Sequence, residues 1–427
     1  MKRAMRLLYN LFIFLFGMAV RVAAPFNAKA RKWVRGRADL FAGLSAALRD
    51  VDREKNPLVW FHVSSLGEFE QGRPIIEAYR QSWPDSKILL TFFSPSGYEV
   101  RKDYKMADWV CYLPLDTPGN ARRWMDIVRP EKAIFIKYDF WYNMLNALAR
   151  DKVQVYFISV LFRRGQHFFR WYGGWFRRQL DAVTWFFAQN NETEALLQSI
   201  GKRNITVTGD TRFDRVYAIA ARRQSFPLVE QFAGNSRVFI CGSTWKEDED
   251  LLFRLVCRRE PGLKFIIAPH DPGPERIRYI MEGLDRPVVR YSELSRENAV
   301  QADILLIDSV GILAQLYQYA ALAYVGGGFG AGLHNIQEPI TFGVPVFIGP
   351  RYGKFSEAVD LVMLGGAFCV HSSQELIDMT TSILADPKEH RHLSDVCRQY
   401  VEEKRGATDM VMRYFTSQSS PLPPPRS

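Results

Sequence analysis

The chain has 427 residues, 47% apolar and 24% charged, with a formal net charge of +10. That length is about two to three typical domains, and the apolar fraction is ordinary for globular proteins, which excludes a disordered chain. Five cysteines (Cys111, Cys241, Cys257, Cys369 and Cys397), odd in number and without a C-x-x-C pair, argue against a disulfide framework or a zinc site and for a reducing compartment.

The first element is unusual. "MKRAMR" is basic, and Leu7 to Val20 ("LLYNLFIFLFGMAV") carries no charge; Arg21 ends it, and "NAKARKWVRGR" follows. A spanning helix needs about 20 apolar residues, so this run is short. A signal peptide starts similarly, but Arg21 stands where small residues should precede cleavage. An uncleaved, membrane-associated helix over residues 1–26 is the favoured reading, ahead of a cleaved signal or a soluble helix. The basic flank predicts that the body stays on the cytoplasmic side and attracts anionic lipid.

After Asn56, short β-rich runs alternate with helical segments. The runs are "LVWFHVS", "KILLTFF", "WVCYLPL", "AIFIKYD", "VQVYFISV" and "TWFFAQN". The pattern restarts after "QSFPLVEQFAGNS" with "RVFICGST", "KFIIAP", "PVVRY", "DILLID", "LAYVGGG" and "VPVFIGP". Continuous apolar strands separated by helices predict parallel sheets covered on both faces. The expectation is two tandem doubly wound α/β domains, residues 27–223 and 237–400, with a linker at 224–236 and a ligand cleft between the domains. Residues 401–427 are expected to form a C-terminal helix and a disordered Pro-rich tail, "SQSSPLPPPRS".

Four strand ends carry candidate chemistry. Glu68 follows Gly67 after the first strand, where a carboxylate can take a proton from a hydroxyl or simply favour a helix N-terminus. Glu70 is the less favoured neighbour. Ser243 and Thr244 in "GSTWKEDED" cap a helix or bind phosphate, and the acids Glu247 to Asp250 read as structural. His270 ends the next strand. "GGGFGAGLHNIQEP" has glycine at five of its first seven positions, which suits close backbone approach and an anion nest. It lacks G-K-[ST], which excludes a P-loop, and it comes too late in its domain for a nicotinamide fingerprint. His334 and Glu338, four apart, are expected to share a face; with no other ligand clustered nearby, metal is disfavoured. In "RRGQHFFRWYGGWFRR" a helical wheel sets Phe168, Phe169, Tyr172, Trp175 and Phe176 against Arg163, His167, Arg170, Arg177 and Arg178. It reads as a core face with solvated arginines, or as a membrane-proximal surface meeting phosphorylated lipid. No RNA-binding signature accompanies it, so nucleic acid is disfavoured.

In order and spacing, "SSLGEFEQGRPIIEAY", "LLTFFSPSGYE", "YLPLDTPGNARRW", "KYDFWYN", "GDTRFDRV", "GSTWKEDE", "APHDPGPERI", "DSVGILAQLYQYAALAYVGGGFGAGLHNIQEP" and "VPVFIGP" resemble the 3-deoxy-D-manno-octulosonic acid (Kdo) transferases of lipopolysaccharide synthesis, over nearly the whole chain. The resemblance implies a GT-B glycosyltransferase at the cytoplasmic face of the inner membrane. It implies inverting transfer from CMP-Kdo to a lipid A precursor, with no metal and no cofactor. Glu68 takes the general base position. Donor contacts fall on Arg212, Ser243, Thr244, His270, Gly326, Gly327, Gly328, Asn335 and Glu338, and Arg163, Arg164, Arg170, Arg177 and Arg178 are the candidate acceptor and membrane contacts. Three positions depart from the family pattern. Lys137 stands where many members carry a carboxylate, no arginine precedes His270, and Arg212 replaces a lysine. A UDP-sugar transferase acting on a lipid, or a non-catalytic membrane-associated scaffold, are the competing readings.

Overall fold

The computed structural model describes residues 2–258, 260–330 and 332–419; most of the Pro-rich tail, residues 420–427, lies outside them. Two compact units result. Unit 1 runs to Arg215 and takes back the helix Ala407–Ser419; unit 2 is Val216–Arg405.

Unit 1 is built on a seven-stranded sheet: β1 (Leu58–Val63), β2 (Lys87–Phe92), β3 (Trp109–Tyr112), β4 (Lys132–Ile136), β5 (Gln154–Val160), β6 (Trp185–Ala188) and β7 (Ile205–Val207). Its order is β3-β2-β1-β4-β5-β6-β7, with every pairing parallel. All six residues of β1 are buried, because helices cover both faces and leave no polar side for the strand to show. Trp60, Phe135 and Phe157 fill one side of the sheet. Phe61, Tyr156 and Phe187 fill the other, where Val411, Met412 and Phe415 of the returning helix join them. Asp214 secures that return by accepting hydrogen bonds from the amides of Gly406 and Thr408 at 2.5 and 2.6 Å.

Unit 2 repeats the plan with β8 (Arg237–Thr244), β9 (Leu263–Pro269), β10 (Val288–Arg290), β11 (Ile304–Leu306), β12 (Leu322–Val325), β13 (Val346–Ile348) and β14 (Ala367–Cys369). The order is β10-β11-β9-β8-β12-β13-β14, again all parallel. Residues 224–236 contain the helix Pro227–Ala233, whose Val229 and Phe232 are buried in the unit 2 core. In each sheet the chain lays strands to one side of the first strand and then returns to its other side. The crevices β1/β4 and β8/β12 at the strands' carboxyl ends are therefore the switch points where such sheets receive ligands.

The N-terminal helix, Lys2–Ala23, lies along unit 1. Tyr9 Oη donates to Asp116 Oδ2 at 2.6 Å, and Asn143 Nδ2 donates to Asn10 Oδ1 at 2.9 Å. Ile13 is buried with Trp33 and Leu115, and a Cβ at Gly17 would stand 2.6 Å from Leu115. Leu7, Leu8, Leu11, Phe12, Phe14 and Val22 on the other side are exposed.

Candidate active site

At the end of β1, Ser65 caps the helix Leu66–Ser82 by accepting from the Glu68 amide at 3.4 Å. Glu68 Oε2 accepts from the Ser64 amide at 2.5 Å. A carboxylate at a helix N-terminus is ordinarily more acidic than in water. Glu68 does the opposite. Burial, reinforced by the negative charge of Asp139, pushes it up to about 8, against the opposing pull of the Ser64 and Ser65 hydrogen bonds and the charge of Lys137. A capping role alone does not require such a shift, whereas a proton acceptor working near neutral pH does.

The neighbouring strand explains the charge around it. β4 pairs with β1 so that His62 faces Phe135, which sends Lys137 and Asp139 to the same end of the sheet as Glu68. Lys137 is held at φ +66°, a left-handed conformation that costs a lysine about 1 kcal/mol or more and is common at functional sites. His62, fully buried, takes the Trp141 indole proton on Nε2 at 3.2 Å and contacts Thr91 Oγ1 through Nδ1 at 2.9 Å. An indole only donates, so Nε2 is the acceptor, Nδ1 carries the proton, and the ring is neutral in this network. The 3.5 Å approach of His62 to Asp139 is thus no ion pair. Asp139 Oδ2 is buried and has no hydrogen-bond partner among the described residues, and the charge of Asp139 acts on Glu68. Burial raises the Tyr138 phenol; Glu68 and Asp139 add to this and Arg163 opposes it, so these groups share one field. Glu70, by contrast, is tied to Arg101 at 3.0 Å and to Arg215, a structural arrangement. Arg212 belongs to unit 1 too. Its guanidinium pairs with Asp210 at 2.7 and 2.9 Å, so that pair already occupies it.

In unit 2, β8 ends in a bulge at Ser243, which sits at φ +53°. Thr244 Oγ1 donates to Glu249 Oε1 at 3.0 Å, and Glu249 pairs with Arg276 at 3.0 Å. The buried Asp248 carboxylate accepts three hydrogen bonds, from the amides of Trp245 (2.9 Å) and Gly327 (2.8 Å) and from Tyr324 Oη (2.8 Å). The Gly326 amide donates to Gly242 O at 2.9 Å. Two amides of the expected anion nest are therefore spent on the protein itself. Glycine is needed here for space. A Cβ on Gly326 would stand 2.3 Å from Ser243 O, and one on Gly328 would stand 2.6 Å from the Gly349 amide nitrogen.

Above this floor Trp245, His270 and His334 stack. His270 lies 4.6 Å from Trp245 and 4.3 Å from His334, centroid to centroid. Trp245 Nε1 donates to His334 Nε2 at 2.9 Å. Burial and the charge of His270 lower His334 to about 4, so a neutral ring carries its proton on Nδ1. The short helix begins only at Gln337, so His334 precedes it, and the expected one-turn relation to Glu338 does not arise. Asn335 Nδ2 reaches Glu338 Oε1 at 3.3 Å. Within unit 2, Ser243, Thr244, His270, the glycines, Asn335 and Glu338 thus gather at the β8/β12 crevice. Trp245 and Asp248, which sequence reasoning passed over or took as a helix-start acid, organise them.

The aromatic and basic stretch is not one helix. A turn, His167–Phe169, and a short helix, Gly174–Arg177, are joined through Gly173, where a Cβ would strike His167 O at 2.2 Å. Phe168 and Trp175 are buried, but Tyr172, expected on the apolar face, is 53% exposed and Trp171 is 92% exposed. Trp175 meets Tyr9 of the N-terminal helix at 5.9 Å. Arg164 approaches Glu192 at 3.8 Å, while Arg170 and Arg177 bond backbone carbonyls. Arg178 opens the next turn, Arg178–Ala182.

A family model described as 3-deoxy-D-manno-octulosonic-acid transferase matches residues 41–215. The chain is 24% identical to the 3-deoxy-D-manno-octulosonic acid transferase of Haemophilus influenzae over 83% of this chain and 85% of that one. To the transferase of Chlamydophila psittaci it is 25% identical, over 84% of each. Among solved structures it is similar to a UDP-GlcNAc 2-epimerase from Neisseria meningitidis (TM-score 0.61, 16% identity, 84% of this chain and 100% of that one). It is also similar to Acinetobacter baumannii MurG (TM-score 0.55, 11% identity, 85% and 99%). These two likenesses bear on the fold alone, which is GT-B-like. Together with the matched motifs, the sequence relatives make the chain similar, over most of its length, to the 3-deoxy-D-manno-octulosonic acid (Kdo) transferases, which are glycosyltransferases.

Proposed function

We propose that the protein transfers Kdo from CMP-Kdo to a lipid A precursor of the lipid IVA type, with inversion and without a metal. A hydroxyl oxygen of the acceptor attacks the anomeric carbon of Kdo. Its proton passes to the Glu68 carboxylate, the bond to the CMP phosphate breaks, and the electron pair leaves on the phosphate oxygen. Attack opposite the leaving group inverts the anomeric centre. The observation that carries this reading is the buried Glu68 at the β1/β4 crevice, raised to about 8 where a helix-capping acid would be lowered.

The β8/β12 crevice suits the donor. Ser243, His270 and the neutral His334 offer polar groups at the strand ends, and the side-chain-free glycines let a nucleotide approach the backbone. Glu338, oriented by Asn335, suits the ribose hydroxyls. Arg212, expected at the donor phosphate, is engaged by Asp210 within unit 1.

The acceptor and the membrane meet unit 1. The N-terminal helix is long and apolar enough to cross a bilayer, yet one face is hydrogen-bonded and packed onto the unit. That arrangement favours a helix lying in the interface, its exposed leucines and phenylalanines sunk into lipid. Trp171 and Tyr172 are suited to join it there, and Arg163, Arg164, Arg170, Arg177 and Arg178 to face phosphates on the cytoplasmic side of the inner membrane.

Incubation with CMP-Kdo made in situ and a lipid A precursor in detergent tests the assignment. Product bearing Kdo in the inverted configuration, formed equally in the presence of EDTA, is expected. No product with CMP-Kdo but product with a UDP-sugar would replace the donor, and nucleotide-sugar binding without any turnover would favour the scaffold.

A further inference from the structure

Unit 1 carries a cavity of about 210 Å³ that none of the chemistry above uses. Arg6 of the N-terminal helix closes one side; Arg122 of the helix Pro118–Val128 and Arg150, Asn146, Asn143 and Tyr142 of the helix Tyr142–Arg150 supply the other polar groups, beside Pro118 and two alanines. Among the described residues, no carboxylate lines it. Arg150 pairs with Asp151 at 2.7 and 3.1 Å, and Arg6 and Arg122 supply the further positive charge of the lining. The Tyr142 ring is stacked on Trp175 at 4.6 Å and meets Tyr9 at 5.5 Å, which fixes one wall.

We propose that this cavity binds the phosphate headgroup of an anionic membrane lipid, with the lipid's tails lying against the exposed apolar side of the N-terminal helix. Two complementary features of the structure meet here. Arg6 lies one to two turns before Tyr9, Asn10 and Ile13 on the packed side of the helix, so its guanidinium is delivered to the cavity. Leu7, next in sequence, starts the exposed apolar side that continues through Leu8, Leu11 and Phe12. A ligand with an anionic head and apolar tails satisfies both, whereas a soluble phosphate uses only the first. The proposal rests on the interfacial reading of the helix but not on the identity of the sugar donor.

The test is flotation of the full-length protein with phosphatidylcholine vesicles, with and without a minority of phosphatidic acid. Wild type is expected to prefer the anionic vesicles, and R6Q/R122Q to lose that preference by about tenfold while still binding neutral vesicles. R254Q/R391Q, which removes the same charge from unit 2, is expected to keep it. Equal losses in both double variants would mean diffuse attraction without a site and would overturn the proposal. So would stabilisation of wild type, but not of R6Q/R122Q, by glycerol phosphate when vesicles show no preference, since the site would then serve a soluble phosphate. If neither protein binds neutral vesicles, the interfacial reading of the helix fails first, and a surviving phosphatidic acid preference would still locate the headgroup site.

Discussion

The two units share a sheet plan and use its switch point in opposite ways. At β1/β4 the polar groups are poorly matched: Glu68 is buried and raised, Asp139 has an oxygen with no hydrogen-bond partner among the described residues, and Lys137 is held in a strained conformation. At β8/β12 they are matched in advance. Asp248 is triply bonded, Thr244 and Glu249 are paired, and His334 is kept neutral under an indole. An environment that leaves charge unsettled suits proton transfer, whereas a pre-satisfied frame suits repeated binding of one ligand shape.

The difference makes graded predictions. Glu68→Gln should reduce turnover by about 10²- to 10⁴-fold while leaving nucleotide affinity intact, read by steady-state kinetics and calorimetry. Asp248→Ala strands two amides and a tyrosine hydroxyl, so it should lower unfolding free energy by about 3 kcal/mol in urea titrations. Gly326→Ala forces backbone apart and should cost about 1–3 kcal/mol and weaken nucleotide binding, with little effect on the pH dependence of any residual turnover. Lys137→Met removes a charge that favours ionised Glu68, so the acidic limb of the kcat/KM profile should move up by about one pH unit.

The smallest effect is on stability. The folded-state value of Glu68 lies above its ordinary one, so between about 4.5 and about 8 the folded protein binds more protons than the unfolded chain. Unfolding free energy should fall across that window as pH rises, and Glu68→Gln should flatten this part of the fall.

Much of this was readable in the chain. Twelve strands were expected as continuous apolar runs; β7 and β14 were missed, because "ITV" lies between polar residues and "AFC" follows a glycine pair, so neither stands out as an apolar run. Glu68, His270 and the glycine loop stood out because each follows a strand. What escaped was set by tertiary contact. Spacing made His334 and Glu338 helical neighbours, but the helix starts later. The glycines suggested an anion nest, but Asp248 and Gly242 take two of its amides. Asp248 looked like a helix-start acid because nothing local reveals that Tyr324 and Gly327 will reach it. A helical wheel over Arg163 to Arg178 already contains Gly173 and Gly174, which weaken a helix, and Gly173, pressed against His167 O, breaks it.

The most direct measurement is the pH profile of Kdo transfer for wild type and Glu68→Gln, both checked for fold and for CMP-Kdo affinity. Wild-type kcat/KM should rise through a group titrating near 8, and the variant should lose most of its rate together with that limb. A variant that retains wild-type turnover, or that loses rate while keeping the same limb, would show that the proton is taken by another group.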